Sequence, residues 1–331
     1  MNRRKVAIAI GDPAGIGPEI ALKAALDTRV RNACRPLLVG DQRVIETHAA
    51  LCGIAPRLIA YRSADKIDWT RHEVALLALD QFGTEAVAIG QIRAAHGRAA
   101  IEAAQAAIEA ALAGHVDAVV AAPQTESAIK AAGIEFDGYP AFVARCAGVP
   151  PEDAFLMLCF DEMRIVHATL HVSLARAVAL ITRERVRRVI DATQTALRRM
   201  GVAAPRLAVA GLNPHAGEHG LFGDEEMRII GPALAEAKAA GIKVEGPFGA
   251  DTMFHHAGFD AFIVMFHDQG HIAAKLLARN RAAGLTIGTP VLFSSVAHGS
   301  ALDIAGKNRA SPEAVIEAVQ RLVGVSQRKA A

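Results

Sequence analysis

Short apolar runs alternate along this chain with helical patterns, and that alternation leaves few folds open. Residues 6–10, 36–39, 116–121, 155–160, 164–169, 207–211, 261–266 and 291–296 read as strands, most too apolar to keep one face in water. Helical periodicity falls at 18–25, 98–113, 184–200, 225–240 and 312–323. The last of these has a start signal, Ser311 as N-cap and Pro312 in the first turn, and its stripe of Val315, Val319, Leu322 and Val323 faces a core. Helices separating short strands imply crossover connections, so the expected fold is α/β with a mostly parallel sheet.

At 331 residues the chain fits two α/β domains better than one. No Pro/Gly/Ser linker marks a boundary, and two domains sharing one long sheet are expected. They are placed at 1–128 plus 296–331 and at 129–295, the second carrying most of the candidate chemistry. A net charge of +2 is too small to argue for nucleic acid or an anionic membrane surface. Basic residues crowd 183–188 and 198–199, on a helix whose apolar stripe is Val186, Val189, Ile190, Thr193 and Leu197; a solvated helix face explains them. The four cysteines form no CxxC and read as reduced core residues. With no signal-peptide pattern and no apolar run of about 18 residues, a soluble cytoplasmic protein is expected.

Three strand-like runs end in a histidine-bearing segment. The run 259–266 leads into His267-Asp268-Gln269-Gly270, the run 164–169 into His171, and the run 207–211 into Asn213-Pro214-His215. Ligands of α/β folds gather at the carboxyl ends of strands, so three such histidines suggest one assembled metal site. Each alone reads more readily as a satisfied polar residue, and it is the set of three that changes the balance. Asp251 in GADT (249–252) offers a further carboxylate, with a helix N-cap as its plain alternative. Lys275 could meet an anionic substrate or lie along the surface. His167 and His171 sit on a strand running into a loop, which argues against a helical zinc pair; His255 and His256 read as surface helix, and His271 as a neighbour of the site. The loop GDPAGIGPE (11–19) suits an anion at a helix N-terminus, but it is neither GxGxxG nor a P-loop, and its prolines remove donors.

Together GDPAGIGPE (11–19), GLNPHAGE (211–218), GADTMF (249–254), HDQG (267–270) with Lys275, and HGSALDIAG (298–306) resemble the 4-hydroxythreonine-4-phosphate dehydrogenase family, in order and from about residue 5 to residue 325. The resemblance implies homodimers of two-domain α/β/α subunits, related to isocitrate and isopropylmalate dehydrogenases, with a cleft completed by the partner subunit. It implies a divalent metal (zinc, magnesium, manganese or cobalt) on three histidines that match His171, His215 and His267. NAD or NADP would bind without a GxGxxG loop, so no cofactor-binding residue is assigned and residues 11–17 become a structural or cleft-lining turn. The implied chemistry is oxidation of a secondary alcohol to a ketone β to a carboxylate, then decarboxylation. Lys275 would pair with the anionic substrate and Asp251 would serve as a proton-transfer or supporting carboxylate.

The chain departs from the family where a phosphate would be held. Gly138-Tyr139-Pro140-Ala141 replaces Gly-His-Thr-Glu, Glu126 replaces a lysine, Phe293 an arginine, Gly284 an asparagine and Ala297 an aspartate. A phosphate monoester needs such donors, whereas an apolar ring prefers Tyr139 and Phe293. Tyr139, Pro140, Gly284 and Phe293 are therefore the candidate substrate contacts. The same substitutions resemble the terephthalate dihydrodiol dehydrogenase branch, so a carboxylated cis-dihydrodiol is the preferred substrate. A phosphorylated hydroxy acid such as 4-hydroxythreonine 4-phosphate is the alternative, and a non-catalytic metabolite-binding protein the third reading.

Overall fold

The computed structural model describes residues 3–278, 282–296 and 298–324. They divide into two compact units: the described residues of Met1–Gly148 and Pro290–Val325, and those of Val149–Thr289.

The first unit holds six parallel strands, β1 (Arg4–Ala9), β2 (Cys34–Asp41), β3 (Leu58–Tyr61), β4 (Val74–Leu79), β5 (Ala118–Ala121) and β12 (Phe293–Ser295), in the order β3-β4-β2-β1-β5-β12. Helices α1 (Gly17–Leu26), α2 (Thr28–Ala33), α3 (Gln42–Leu51), α4 (Ala94–Leu112), α5 (Glu126–Ala131), α6 (Tyr139–Ala147) and α11 (Glu313–Leu322) connect and cover them. The alanine-rich helix α4 buries Ala103, Ala104, Ala107 and Ile108 against Ala7, Ala9, Leu37 and Val39 of the sheet. Small side chains allow the close approach: a Cβ on Gly97 would stand 2.2 Å from the Ala128 carbonyl carbon of α5.

The second unit holds β6 (Phe155–Phe160), β7 (Met163–His167), β8 (Arg206–Ala210), β9 (Lys243–Phe248), β10 (Ala261–Val264) and β11 (Ala283–Ile287), in the order β11-β6-β7-β10-β8-β9. The pairs β11/β6 and β6/β7 are antiparallel, while β7, β10, β8 and β9 run parallel. Its helices are α7 (Leu174–Leu180), α8 (Arg183–Arg199), α9 (Gly231–Ala239) and α10 (His267–Ala278). Helix α8 buries the expected stripe of Val186, Val189, Ile190, Thr193 and Leu197. Its arginines are engaged at the surface: Arg187 with Asp191, Arg188 with Asp153 and Arg183 with Glu236. None of the four cysteines forms a disulfide. Among the described residues, no helix is long and apolar enough to cross a membrane.

The expected α/β, mostly parallel architecture is present, with differences of detail. Residues 129–148 and 290–295, grouped by the sequence with the second domain, pack in the first unit. Helix α6 lies on α4, and β12 pairs with β5. The sequence reading missed four strands: β3, β4, whose Val74–Leu79 run of Ala and Leu suits a helix equally, β9, interrupted by Gly246-Pro247, and β11. The expected helix around His255 is one 3-10 turn, Met253–His255. The C-terminal helix begins one residue later than expected, with Pro312 at the N-cap.

Candidate active site

The neighbours β7, β10, β8 and β9 all end on the same edge, and each is succeeded by a candidate residue: His171, His267, His215 and Asp251. Parallel strands set the segments beyond their carboxyl ends side by side, so residues far apart in sequence become neighbours. After β7 the chain stays in register, with Ala168 N–H donating to Val264 O (2.8 Å) and Thr169 N–H to Met265 O (3.0 Å). That delivers exposed His171 beside His267, with ring centroids 5.7 Å apart.

His267 opens helix α10 directly instead of sitting in the turn expected of HDQG. Each letter of the motif has a separate structural task. His267 Nδ1 lies 2.7 Å from Asp268 Oδ1, so Nδ1–H donates to the carboxylate and Nε2 is the nitrogen left for a ligand, the carboxylate–histidine arrangement typical of metal ligands. Gln269 is a strut: its Oε1 accepts from Met265 N–H (2.8 Å) and its Nε2 donates to Gly211 O (3.0 Å), tying the ends of β10 and β8 together. Gly270 leaves room for a buried histidine, because a Cβ there would be 2.4 Å from His167 Nε2.

His215 sits in an unusual backbone. Five consecutive residues, His215–His219, have positive φ, and four of them are not glycine. Each such non-glycine residue costs about 1–2 kcal/mol. The carboxylate of Glu226, itself buried, holds the turn: it accepts from the backbone N–H groups of Leu212 and Asn213, both at 2.7 Å, and from Asn213 Nδ2 at 3.0 Å. The glycines of GLNPHAGE serve the same packing, since a Cβ on Gly217 would meet Glu226 Oε2 at 2.7 Å. Exposed Asp251 approaches His215, with Oδ2 3.8 Å from Nδ1, within ion-pair range but beyond direct hydrogen-bond distance.

The structure gathers some predicted residues and separates others. His171 and His267 are adjacent, and His215 pairs with Asp251 one strand away. Among the described residues, no three histidine, cysteine, aspartate or glutamate side chains converge as metal ligands. The donor chemistry still fits a divalent ion, because three imidazoles lie on neighbouring strand ends and two of them face carboxylates. Lys275 is exposed on α10, on the face of His267 and His271, two turns on. Gly284 lies in β11 opposite Leu158, in the antiparallel part of the sheet rather than at the four parallel strand ends.

The remaining substrate candidates belong to the first unit and to its core. Phe293 is fully buried, and the half-buried Tyr139 ring packs on it at 4.7 Å. Burial pushes the Tyr139 phenol well above its ordinary pKa. Pro140 sits beside it in the first turn of α6. Phe293 is thus a core residue, with no surface left to offer a ring-shaped substrate. Glu126 is exposed at the first position of α5, where a carboxylate favours the helix dipole. Ala297 lies outside the described residues. The GDPAGIGPE loop is a packed junction: Asp12 N–H donates to Pro123 O (2.9 Å), Ile16 N–H to Ser300 O (2.8 Å), and a Cβ on Gly11 would stand 2.2 Å from Pro123 O.

Sequence reasoning undervalued His167. It is buried at the end of β7, and its Nε2 lies 3.1 Å from His271 Nδ1. Burial, reinforced by the neighbouring His271, pushes the His167 pKa down to about 3, and burial with the nearby His267 pushes His271 to about 4. The available signal was the four-residue spacing of His267, His271 and Lys275, which is one helical face once HDQG is read as helix.

The family model for "Pyridoxal phosphate biosynthetic protein PdxA" matches residues 32–322 of this chain. The chain belongs to the PdxA family. A protein of Symbiobacterium thermophilum, provisionally named a D-threonate 4-phosphate dehydrogenase, is 43% identical over 322 residues, 96% of each chain. Among solved structures, a 4-hydroxythreonine-4-phosphate dehydrogenase from Burkholderia phymatum superposes with a TM-score of 0.86 at 32% identity, covering 99% of this chain and 100% of that one. A terephthalate 1,2-cis-dihydrodiol dehydrogenase from Burkholderia xenovorans LB400 gives 0.78 at 42% identity, covering 98% of each. Like these relatives, this PdxA-family chain is a dehydrogenase.

Proposed function

We propose that this chain is a metal-dependent NAD(P) dehydrogenase of a phosphorylated hydroxy acid, of the D-threonate 4-phosphate or 4-hydroxythreonine 4-phosphate type. The observation that carries the reaction class is the row of His171, His267, His215 and Asp251 at four neighbouring parallel strand ends. The substrate class is supported by relatives that share 96% of the chain's length and are named for it. This favours the alternative of the sequence reading over its preferred diol, because Phe293 and Tyr139 are spent on each other in a core.

His171, His215 and His267 would hold the divalent ion, which when bound supplies a Lewis acid for the substrate hydroxyl, while NAD or NADP supplies the hydride acceptor. Asp268, bonded to Nδ1, would leave Nε2 of His267 as the ligating nitrogen. Asp251, exposed beside His215, would take the hydroxyl proton. Lys275 offers its ammonium to a carboxylate or phosphate oxygen. A hydroxyl β to the carboxylate becomes a β-keto acid, which loses carbon dioxide readily.

The cis-dihydrodiol reading stands second. It is supported by the 42% identity to the terephthalate dihydrodiol dehydrogenase and by Glu126 and Tyr139 where the phosphate-binding pattern has lysine and histidine. We also propose a homodimer, with exposed Leu174 and Val178 of α7 and Ile272, Leu276 and Leu277 of α10 as the surface it would cover.

Formation of reduced nicotinamide, measured with D-threonate 4-phosphate, 4-hydroxythreonine 4-phosphate and terephthalate cis-dihydrodiol in parallel, tests the assignment. Turnover of a phosphorylated substrate is expected. Turnover of the diol alone would replace the first reading by the second.

A further inference from the structure

The pair formed by buried His167 and half-buried His271 lies outside the proposed metal set, yet touches it. We infer that His271 is a positioning residue, held by His167 in one tautomer and stacked face-on against His267 so that it fixes the plane of that ring. The inference deepens the proposed function, and its metal arm rests on that reading.

Hydrogen bonding decides the tautomers. His167 Nδ1 faces the carbonyl oxygen of Leu156 at 3.4 Å, and only an N–H can face a carbonyl there. His167 Nε2 therefore carries a lone pair, and His271 Nδ1, 3.1 Å away, must donate to it. The reverse arrangement would set a lone pair against the Leu156 oxygen. Protonating both rings would set two N–H groups against each other. His271 is thus Nδ1-protonated, with Nε2 unprotonated.

The pair is rigid. His167 is 1% exposed, and Gly270 passes so close that even a methyl group would strike its Nε2. From that anchor the His271 ring lies parallel to His267, one helical turn away, with centroids 3.8 Å apart and planes 6° apart. Asp268 fixes the other degree of freedom of His267 through Nδ1. A ring held on one face by a stack and on one edge by a carboxylate has a single direction left for Nε2. Outer partners of this kind typically contribute 10–100-fold to metal affinity.

Long-range proton–nitrogen NMR of the metal-free protein, labelled at histidine, tests this without turnover. Expected are Nδ1-protonated tautomers at His167 and His271, and ring protons of His267 shifted upfield by the stacked imidazole. His271→Asn keeps a donor toward His167 but removes the ring, and should abolish the upfield shift. His271→Phe restores a ring, and with it most of the shift. In calorimetric titration with zinc or manganese, His271→Asn should bind about 10–100-fold more weakly than the wild type, with His271→Phe recovering part of the loss. An Nε2-protonated His271, or a His267 spectrum unchanged in His271→Asn, overturns the inference. If the wild type shows the tautomers and the shift but binds no cation, the positioning holds and the metal reading alone fails.

Discussion

Gly270→Ala should destabilise the protein although it replaces glycine by alanine inside a helix. In an ordinary helix that change stabilises by about 1 kcal/mol. Here the added methyl would lie 2.4 Å from His167 Nε2 and 2.8 Å from Ile165 Cγ2. His167 cannot swing aside, because it is buried at the end of β7 and bonded at both nitrogens. Overpacking of this kind costs about 1–3 kcal/mol, and losing the His167–His271 hydrogen bond adds about 1 kcal/mol. Subtracting the helix gain leaves a net loss of about 2 kcal/mol. For a unit of this size that corresponds to a fall in Tm of roughly 4–8 °C. Urea unfolding monitored by circular dichroism reads it as a lower midpoint at unchanged slope. A double change with His167→Ala, which opens the space, should recover much of the loss. If Gly270→Ala alone matches or exceeds wild-type stability, the close packing of α10 on His167 is wrong.

Removal of divalent metal with EDTA, or His215→Ala, should abolish turnover, and re-added metal should restore it only in the wild type; the reduced-nicotinamide assay checks both. Glu226→Ala strands two backbone donors and unpins the left-handed turn, so kcat/KM should fall by about 10–100-fold with a smaller change in KM, as steady-state kinetics would show. His48, buried and donating to Pro13 O, has a pKa depressed by burial. Its contribution is therefore complete above its ordinary pKa near 6.5 and is lost as pH falls below that, by up to about 1.4 kcal/mol per pH unit. Urea midpoints between pH 7 and pH 5 should fall less steeply in His48→Leu than in the wild type.

Much of the fold was legible because a buried strand needs only a run of apolar residues. Residues 155–160 were placed to the residue, and 207–211 and 164–169 within two. Four strands escaped: β3 and β11, and two whose composition points elsewhere, the Ala/Leu run of β4 and the Gly-Pro of β9. The histidines were legible as strand-end residues, which their local sequence dictates. The tasks of Gln269, Gly270 and Glu226 were not, since each depends on a partner in a different part of the chain: Gly211, His167 and the Leu212–Asn213 backbone. Phe293 misled for the converse reason. An aromatic residue at a position matched to a binding arginine reads as a substrate contact, but the strand carrying it lies under α6, and its ring completes a core.

The central claim, that His171, His215 and His267 act as one metal site, is tested most directly by anomalous diffraction from crystals grown with zinc or manganese. One strong peak is expected about 2.0–2.2 Å from the Nε2 atoms of all three histidines, with His215 drawn toward His171 and His267. A peak that leaves any of the three beyond coordinating distance, or no peak in an enzyme that still turns over, would contradict it.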